Sequence, residues 1–182
     1  MLLIRPTLEH LSSYVAALKR GWSPSTHEDT SREVLRRIER DPSRFIALQE
    51  DRNAEGDPIR LDDGSFVQRL PGFGRWIWDG EFAGHITLRW KPGTPELPPW
   101  CLGHIGYTVV GWKRRRGYAT AALRLMLPEA RKEGLPYLEI VTTPENEGSQ
   151  RVITANGGLL MERFVTPQSI GAVETLRFRI TL

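Results

Sequence analysis

The residues best suited to chemistry in this sequence form a short basic stretch between an apolar run and an Ala- and Leu-rich segment. Residues 102–110 predict a strand, and residues 117–133 predict a helix that ends at Gly134. Between them lies Arg114-Arg115-Arg116-Gly117-Tyr118-Ala119-Thr120. Such a turn points several backbone N–H groups at one spot, at the positive end of a helix dipole, and this makes an anion site. The small residues Gly117 and Ala119 let a ligand approach the backbone closely.

A second polar segment, residues 143–158, follows the next predicted strand at residues 137–142. Asn146 has the side chain of a helix N-cap, and Asn156-Gly157-Gly158 is typical of a left-handed helix end. Ser149 lies in the first turn of the predicted helix. Asn146 can cap the helix and also bind a ligand, because a capping amide still has donors free.

Together, the two segments resemble the GNAT family of N-acetyltransferases. Residues 114–119 are similar to its pyrophosphate-loop pattern Arg/Gln-x-x-Gly-x-Gly/Ala. Residues 146–158 are similar to its segment Asn-x-x-Ser-x-x-(apolar)-x-x-x-x-Gly. Both occur in the family's order, with one helix and one strand between them. The resemblance covers residues 75–165 well and the N-terminal third poorly, and it is to the bacterial subgroup described as predicted acetyltransferases.

The resemblance implies an α+β fold of the GNAT acyl-CoA N-acyltransferase type. Its mixed, mostly antiparallel twisted sheet is flanked by helices, and a βαβ unit at residues 102–142 is parallel or splayed where the cofactor enters. One domain is expected over residues 1–182. Residues 1–74 would supply a strand, helices and a long loop or loose hairpin (51–74) on the acceptor side. Residues 75–165 would form the acetyl-CoA-binding core, and residues 166–182 a final strand.

Acetyl-CoA is the implied co-substrate, and no metal is expected. Backbone N–H groups around residues 115–120 would bind the pyrophosphate, and the arginine side chains would add charge. The strand at 107–110 would offer main-chain groups to the pantetheine arm, with one N–H, expected at Val109, polarising the thioester carbonyl. The residues assigned to the cofactor are Val109, Val110, Arg114, Arg115, Arg116, Gly117, Tyr118, Ala119, Thr120, Asn146 and Ser149.

The implied reaction is direct attack of a neutral amine on the bound thioester, driven mainly by positioning. A base or water chain must accept a proton, because an amine is mostly protonated near pH 7. His104, Glu139 and His85 lie on predicted strands near the site, and each also fits an ordinary strand-surface or core role. Ser149 could orient pantetheine or relay a proton to the thiolate. The tyrosine that serves the family as general acid falls at Ile153, so the acid is unassigned.

Composition and charge narrow the remaining alternatives. The net charge of +3 is too balanced to indicate a nucleic-acid partner, despite the basic cluster at 113–116. A single cysteine, Cys101, cannot form an internal disulfide, and no apolar run approaches the roughly 20 residues that span a bilayer. We therefore expect a cytoplasmic protein without a membrane partner, and the family resemblance allows a homodimer. A non-catalytic acyl-CoA-binding sensor is the alternative function, and the sequence does not identify the acceptor amine.

Overall fold

A computed structural model describes residues 1–25, 28–61, 63–168 and 171–182. The strands are β1 (Leu2–Ile4), β2 (Ile59–Arg60), β3 (Phe66–Val67), β4 (Gly72–Trp78), β5 (Phe82–Arg89), β6 (Ile105–Val109), β7 (Tyr137–Thr142), β8 (Leu159–Val165) and β9 (Glu174–Thr181). The helices are α1 (Leu11–Lys19), α2 (Ser31–Arg40), α3 (Pro42–Ala47), α4 (Tyr118–Lys132) and α5 (Glu147–Thr154). Short 3-10 turns occupy Leu48–Glu50 and Gly111–Lys113.

The main strands form two antiparallel sheets that part between β6 and β7. One sheet has the strand order β1-β4-β5-β6, and the other has the order β7-β9-β8. In the described part of the chain, one backbone hydrogen bond joins the two sheets, from the His104 N–H to the Glu139 carbonyl at 2.7 Å. Beyond this point β6 and β7 diverge, which confirms the α+β fold and its splayed βαβ unit.

One face of both sheets packs against α4 in the larger of two apolar cores. Ala122, Leu123, Met126 and Ala130 recur at helical spacing and are fully buried against strands β5, β6 and β7. The helix begins at Gly117 and continues through Pro128. This packing places the N-terminus of α4 directly after the end of β6, where the predicted anion loop lies.

The opposite face of the first sheet is covered by α1, α2 and α3 through an aromatic core. The Tyr14 ring stacks on Trp76 with a centroid distance of 4.8 Å, and Phe45 and Phe82 pack against the same tyrosine. These large rings pack the N-terminal helices onto the sheet. Trp22, which follows α1, packs against Phe82, so the first part of the connection after α1 lies beside β5, on the expected acceptor side.

Two local features differ from what residue patterns indicate. Asp41-Pro42 is typical of a helix end and does end α2, but it also starts α3, because the Asp41 carboxylate accepts the Arg44 N–H at 2.8 Å. Residues 75–90 predict a β-hairpin, but its first strand, β4, begins at Gly72 rather than at Arg75. Glycine is required at position 72, because a Cβ there would lie 2.7 Å from the Leu88 carbonyl. Within residues 51–74, β2 and β3 form the short hairpin that was one of the two predictions for this segment.

Candidate cofactor and acceptor site

The loop before α4 is built as an anion site. Gly117 and Arg115 have φ angles of +75° and +61°, and this pair of left-handed residues turns the chain into the helix. Among the described residues, none accepts a hydrogen bond from the backbone N–H groups of residues 115–120. The predicted loop residues are thus brought together with their donors free, next to the positive end of the α4 dipole.

The β4–β5 hairpin turn holds this loop in place. The Asp79 carboxylate contacts the buried Lys113 ammonium at 2.5 Å and accepts a hydrogen bond from the Tyr118 hydroxyl at 2.7 Å. Burial raises the pKa of Asp79, but the bonds from Lys113 and Tyr118 outweigh it and hold that pKa below its usual value. The sequence shows Asp79 only as a turn residue, because the contact spans more than thirty residues.

The edge of β6 that faces the gap between the two sheets has backbone N–H groups that are not bonded to β5. The Arg89 N–H donates to the His104 carbonyl, and the Val110 N–H donates to the Ala83 carbonyl. Alternate residues of β6 therefore bond to β5. The N–H groups of Tyr107 and Val109 therefore point away from β5, into the gap. The Val109 carbonyl accepts a hydrogen bond from the Arg114 side chain at 3.2 Å.

Val110, which was also assigned to the cofactor, has both main-chain groups bonded within the fold. Its N–H donates to the Ala83 carbonyl, and its own carbonyl accepts the Lys113 N–H, both at 3.0 Å. The side chain is fully buried in the aromatic core. The Val110 N–H is therefore not free to bind a cofactor, because the strand ends one residue earlier and turns into the 3-10 segment.

Across the gap, the start of α5 presents Asn146 and Ser149. The Asn146 Oδ1 accepts the Ser149 N–H at 3.1 Å, which is the predicted N-cap. The Ser149 hydroxyl lies 2.8 Å from the Tyr107 hydroxyl on β6. Burial raises the pKa of Tyr107 to about 12, despite its bond to Ser149. Ile153, at the position of the family's tyrosine, is fully buried in the core.

His104 and Glu139 lie where the two sheets part, and the side chains of both are already bonded within the protein. The Glu139 N–H donates to His104 Nδ1 at 2.9 Å, which leaves Nε2 protonated and donating to the Pro95 carbonyl at 3.1 Å. Burial lowers the pKa of His104, which favours the neutral ring. Neither ring nitrogen has a free lone pair with which to accept a proton from the amine. The Glu139 carboxylate pairs with Arg179 at 2.6 Å. This geometry favours a bracing role for both residues.

His85 lies on the other face of the sheet, among residues that point toward the α1–α2 connection. Its register partner on β6 is Thr108, and its ring packs edge-on against Trp22 at 5.5 Å. Burial, with a smaller contribution from Arg89, lowers the pKa of His85 to about 4, although a bond to the Pro24 carbonyl opposes the shift. His85 is therefore neutral near pH 7 and is a weak base.

Over the described ranges, no three or more His, Cys, Asp or Glu side chains gather closely enough to hold a metal ion. In the same part of the chain, every helix is too short or too polar to cross a bilayer.

Comparisons with known proteins agree with this geometry. A family model described as "Acetyltransferase (GNAT) domain" matches residues 2–158. Among solved structures, RimJ from Mycobacterium smegmatis in complex with CoA-disulfide superposes with a TM-score of 0.67 at 18% identity, covering 98% of this chain and 80% of that one.

Two further solved structures share the fold with similar TM-scores. The microcin C7 self-immunity acetyltransferase MccE, in complex with acetyl-CoA and AMP, gives a TM-score of 0.64 at 12% identity, over 99% of this chain and 91% of that one. RimL, the ribosomal L7/L12 α-N-protein acetyltransferase in complex with coenzyme A, gives 0.63 at 13% identity, over 99% and 93%. Comparison with curated proteins finds no match.

Proposed function

Since this chain belongs to the GNAT family of acetyltransferases, we propose that it transfers the acetyl group of acetyl-CoA to a primary amine of a small molecule or peptide. The amine nitrogen attacks the thioester carbonyl carbon in a ternary complex, the C–S bond breaks, and CoA leaves as the thiolate. The observation that carries the proposal is the loop at residues 115–120, whose free N–H groups lie at the open end of the gap between β6 and β7.

In the proposed complex, these N–H groups bind the CoA pyrophosphate, and Arg115 and Arg116, both exposed, add charge. The pantetheine arm then runs along the free edge of β6. The Val109 N–H, which points into the gap, donates to the thioester oxygen and stabilises the negative charge that develops on it. Solved structures of the same fold contain CoA or acetyl-CoA, which is consistent with this binding mode.

We assign protonation of the departing CoA thiolate to the hydroxyl pair of Tyr107 and Ser149. With a pKa of about 12, the Tyr107 hydroxyl keeps its proton at neutral pH. Ser149 can donate to the departing sulfur while it accepts from Tyr107, since a hydroxyl both donates and accepts. The pair thus takes the role for which Ile153 has no suitable group.

On the acceptor side, the proposed reaction depends on positioning. His104 has both ring nitrogens engaged, Glu139 is held in an ion pair, and His85 is too weak a base to retain the proton. The amine therefore loses its proton to solvent before attack, and the site contributes a fixed geometry.

Thiol release from acetyl-CoA tests the proposal directly. The full chain would be assayed with a panel of primary amines and N-terminal peptides, while CoA binding is measured in parallel by calorimetry. Transfer to at least one amine is expected. CoA binding without turnover across the panel would support the alternative, a non-catalytic acyl-CoA sensor. A homodimer and a cytoplasmic location stay predictions.

A further inference from the structure

A small cavity on the acceptor side is lined by two arginines. It has a volume of ≈ 120 Å³ and lies between α2, α3 and the segment before β4. Its lining residues are Arg37, Phe45, Leu48, Gln49, Asp51 and Arg69. The site thus combines an apolar wall with two guanidinium groups and one carboxylate.

The carboxylate is already used by the backbone. Asp51 Oδ1 accepts the Glu55 N–H at 2.7 Å, and Oδ2 accepts the Gly56 N–H at 3.0 Å. Asp51 therefore folds the start of the 51–74 segment, and its charge is partly neutralised by these donors. Of the two guanidinium groups, Arg37 already has a carboxylate nearby, Glu33 at 4.0 Å, so the charge available to a ligand comes mainly from Arg69.

Arg69 is half-buried, and within the described residues no carboxylate lies within ion-pairing distance of its guanidinium. Its Nε donates to the Asp57 carbonyl at 3.2 Å, which orients the planar group without neutralising it. Burial lowers the pKa of Arg69, and the nearby Arg37 and Arg89 lower it further, against opposing contributions from Asp51 and Asp57. A guanidinium that is partly removed from water is normally paired with a carboxylate, so Arg69 has unused capacity for an anion.

The cavity is connected to the proposed reaction centre through the sheet. Gln49, on its wall, has its Oε1 3.4 Å from where a Cβ on Gly74 would lie. Gly74 pairs with Thr87, and Thr87 pairs with Gly106 next to Tyr107. Two strand spacings across the sheet and three residues along β6 separate Gly74 from Val109, whose N–H is assigned to the thioester, and together these give about 14 Å.

We propose that this cavity, through Arg69 and Arg37, binds an anionic group of the acceptor, a carboxylate or a phosphate, about 14 Å from the amine that is acetylated. The inference rests on the proposed function, because it defines the acceptor of that same reaction. A peptide of four extended residues spans about the same distance. An N-terminal amine followed at the fourth position by an acidic or phosphorylated side chain therefore has the required length.

The test uses three C-terminally amidated tetrapeptides, Gly-Gly-Gly-Asp, Gly-Gly-Gly-phosphoserine and the neutral Gly-Gly-Gly-Asn, bound to the full chain in calorimetry. We expect at least one anionic probe to bind about tenfold or more tightly than the neutral probe, since hydrogen bonds to charged groups are strong. Whichever probe binds more tightly distinguishes carboxylate from phosphate. Equal binding of all three probes, or no binding of either anionic probe, would overturn the proposal.

Variants locate the site. Arg69→Gln and Arg37→Gln should each abolish the preference for the anionic probe, while Arg69→Lys retains the charge and part of the preference. The matched control is Arg36→Gln, which makes the same charge change on α2 at an exposed residue outside the cavity. CoA affinity should be unchanged in all of them. An equal loss in Arg36→Gln and Arg69→Gln would contradict the assignment.

The outcome also separates this inference from the proposed function. Anionic probes that bind through Arg69 without being acetylated would leave the cavity assignment standing and refute the transferase activity on them. Acetylation of charged and neutral tetrapeptides with equal KM, unchanged in Arg69→Gln, would confirm the transferase and overturn the cavity assignment.

Discussion

The Tyr107 hydroxyl lies 2.8 Å from the Ser149 hydroxyl, and this hydrogen bond joins β6 to α5 across the opening between the two sheets. Tyr107 comes from the strand whose free edge would hold pantetheine, and Ser149 comes from the helix expected to face it. The pair is therefore located where a thiolate would form. It also links the two halves of the proposed cofactor cleft.

The first prediction concerns the Tyr107 hydroxyl. Tyr107→Phe should lower kcat on the order of 10²-fold, the usual contribution of a positioned acid, while the ring continues to pack against the core. Ser149→Ala should have a similar effect, and the double variant should cost little more than either, because the two hydroxyls act as a unit. The CoA dissociation constant should change little. Tyr137→Phe, on the opposite side of β7, is the matched control, and full kcat in Tyr107→Phe would remove the pair from the mechanism.

The second prediction concerns the conformation of the anion loop. At Gly117 the φ angle is +75°, so Gly117→Val imposes a left-handed backbone on a β-branched residue and places a side chain beside the free N–H groups. CoA binding should be lost in calorimetry. Gly111→Val is the control, because Gly111 is also exposed with open space at its Cβ but lacks a positive φ. If both variants bind CoA alike, the loop does not hold the pyrophosphate.

The sequence predicted the elements that depend on local patterns. The Asn146 cap, the end of α2 at Asp41-Pro42 and the start of α4 at Gly117 all follow from residues close together in the chain. The two family-like segments added the splayed architecture, because their order fixes which strands must part. The candidate anion loop could therefore be predicted from the sequence alone.

The features that the sequence did not reveal all depend on long-range contacts. The Tyr107–Ser149 pair spans 42 residues, and the Lys113–Asp79 contact spans 34. Neither the alternation of residues in a strand nor the spacing of residues in a helix predicts such a contact. His104 was a plausible base on its strand, but only the fold shows that its Nδ1 accepts the Glu139 N–H. The start of β4 at Gly72 was not predicted, because glycine in a sequence usually indicates a turn. Only the fold shows that glycine is needed there for the close approach of the Leu88 carbonyl.

The third prediction concerns the clamp between the hairpin turn and the loop. Asp79→Asn should lower the free energy of unfolding by about 2 kcal/mol, since it weakens bonds to Lys113 and Tyr118 that involve charged groups. It should also weaken CoA binding, because Tyr118 opens α4. Urea unfolding and calorimetry measure the two effects. Glu81→Gln removes a more exposed carboxylate from the same lysine and should do much less. Unchanged CoA affinity in Asp79→Asn would show that the loop keeps its shape without the clamp.

The last prediction concerns the stability contributed by neutral His85. Its pKa is about 4 in the folded protein against an ordinary value of 6.5, so between these pH values the unfolded chain binds more protons. The contribution is complete above pH 6.5 and is lost as the pH falls toward 4, by up to roughly 3 kcal/mol. His85→Gln can still donate to the Pro24 carbonyl but does not titrate, so its unfolding free energy should fall less between pH 7 and pH 4.5. Urea unfolding at both pH values gives the difference, and equal losses in the two proteins would show that His85 is protonated without cost in the fold.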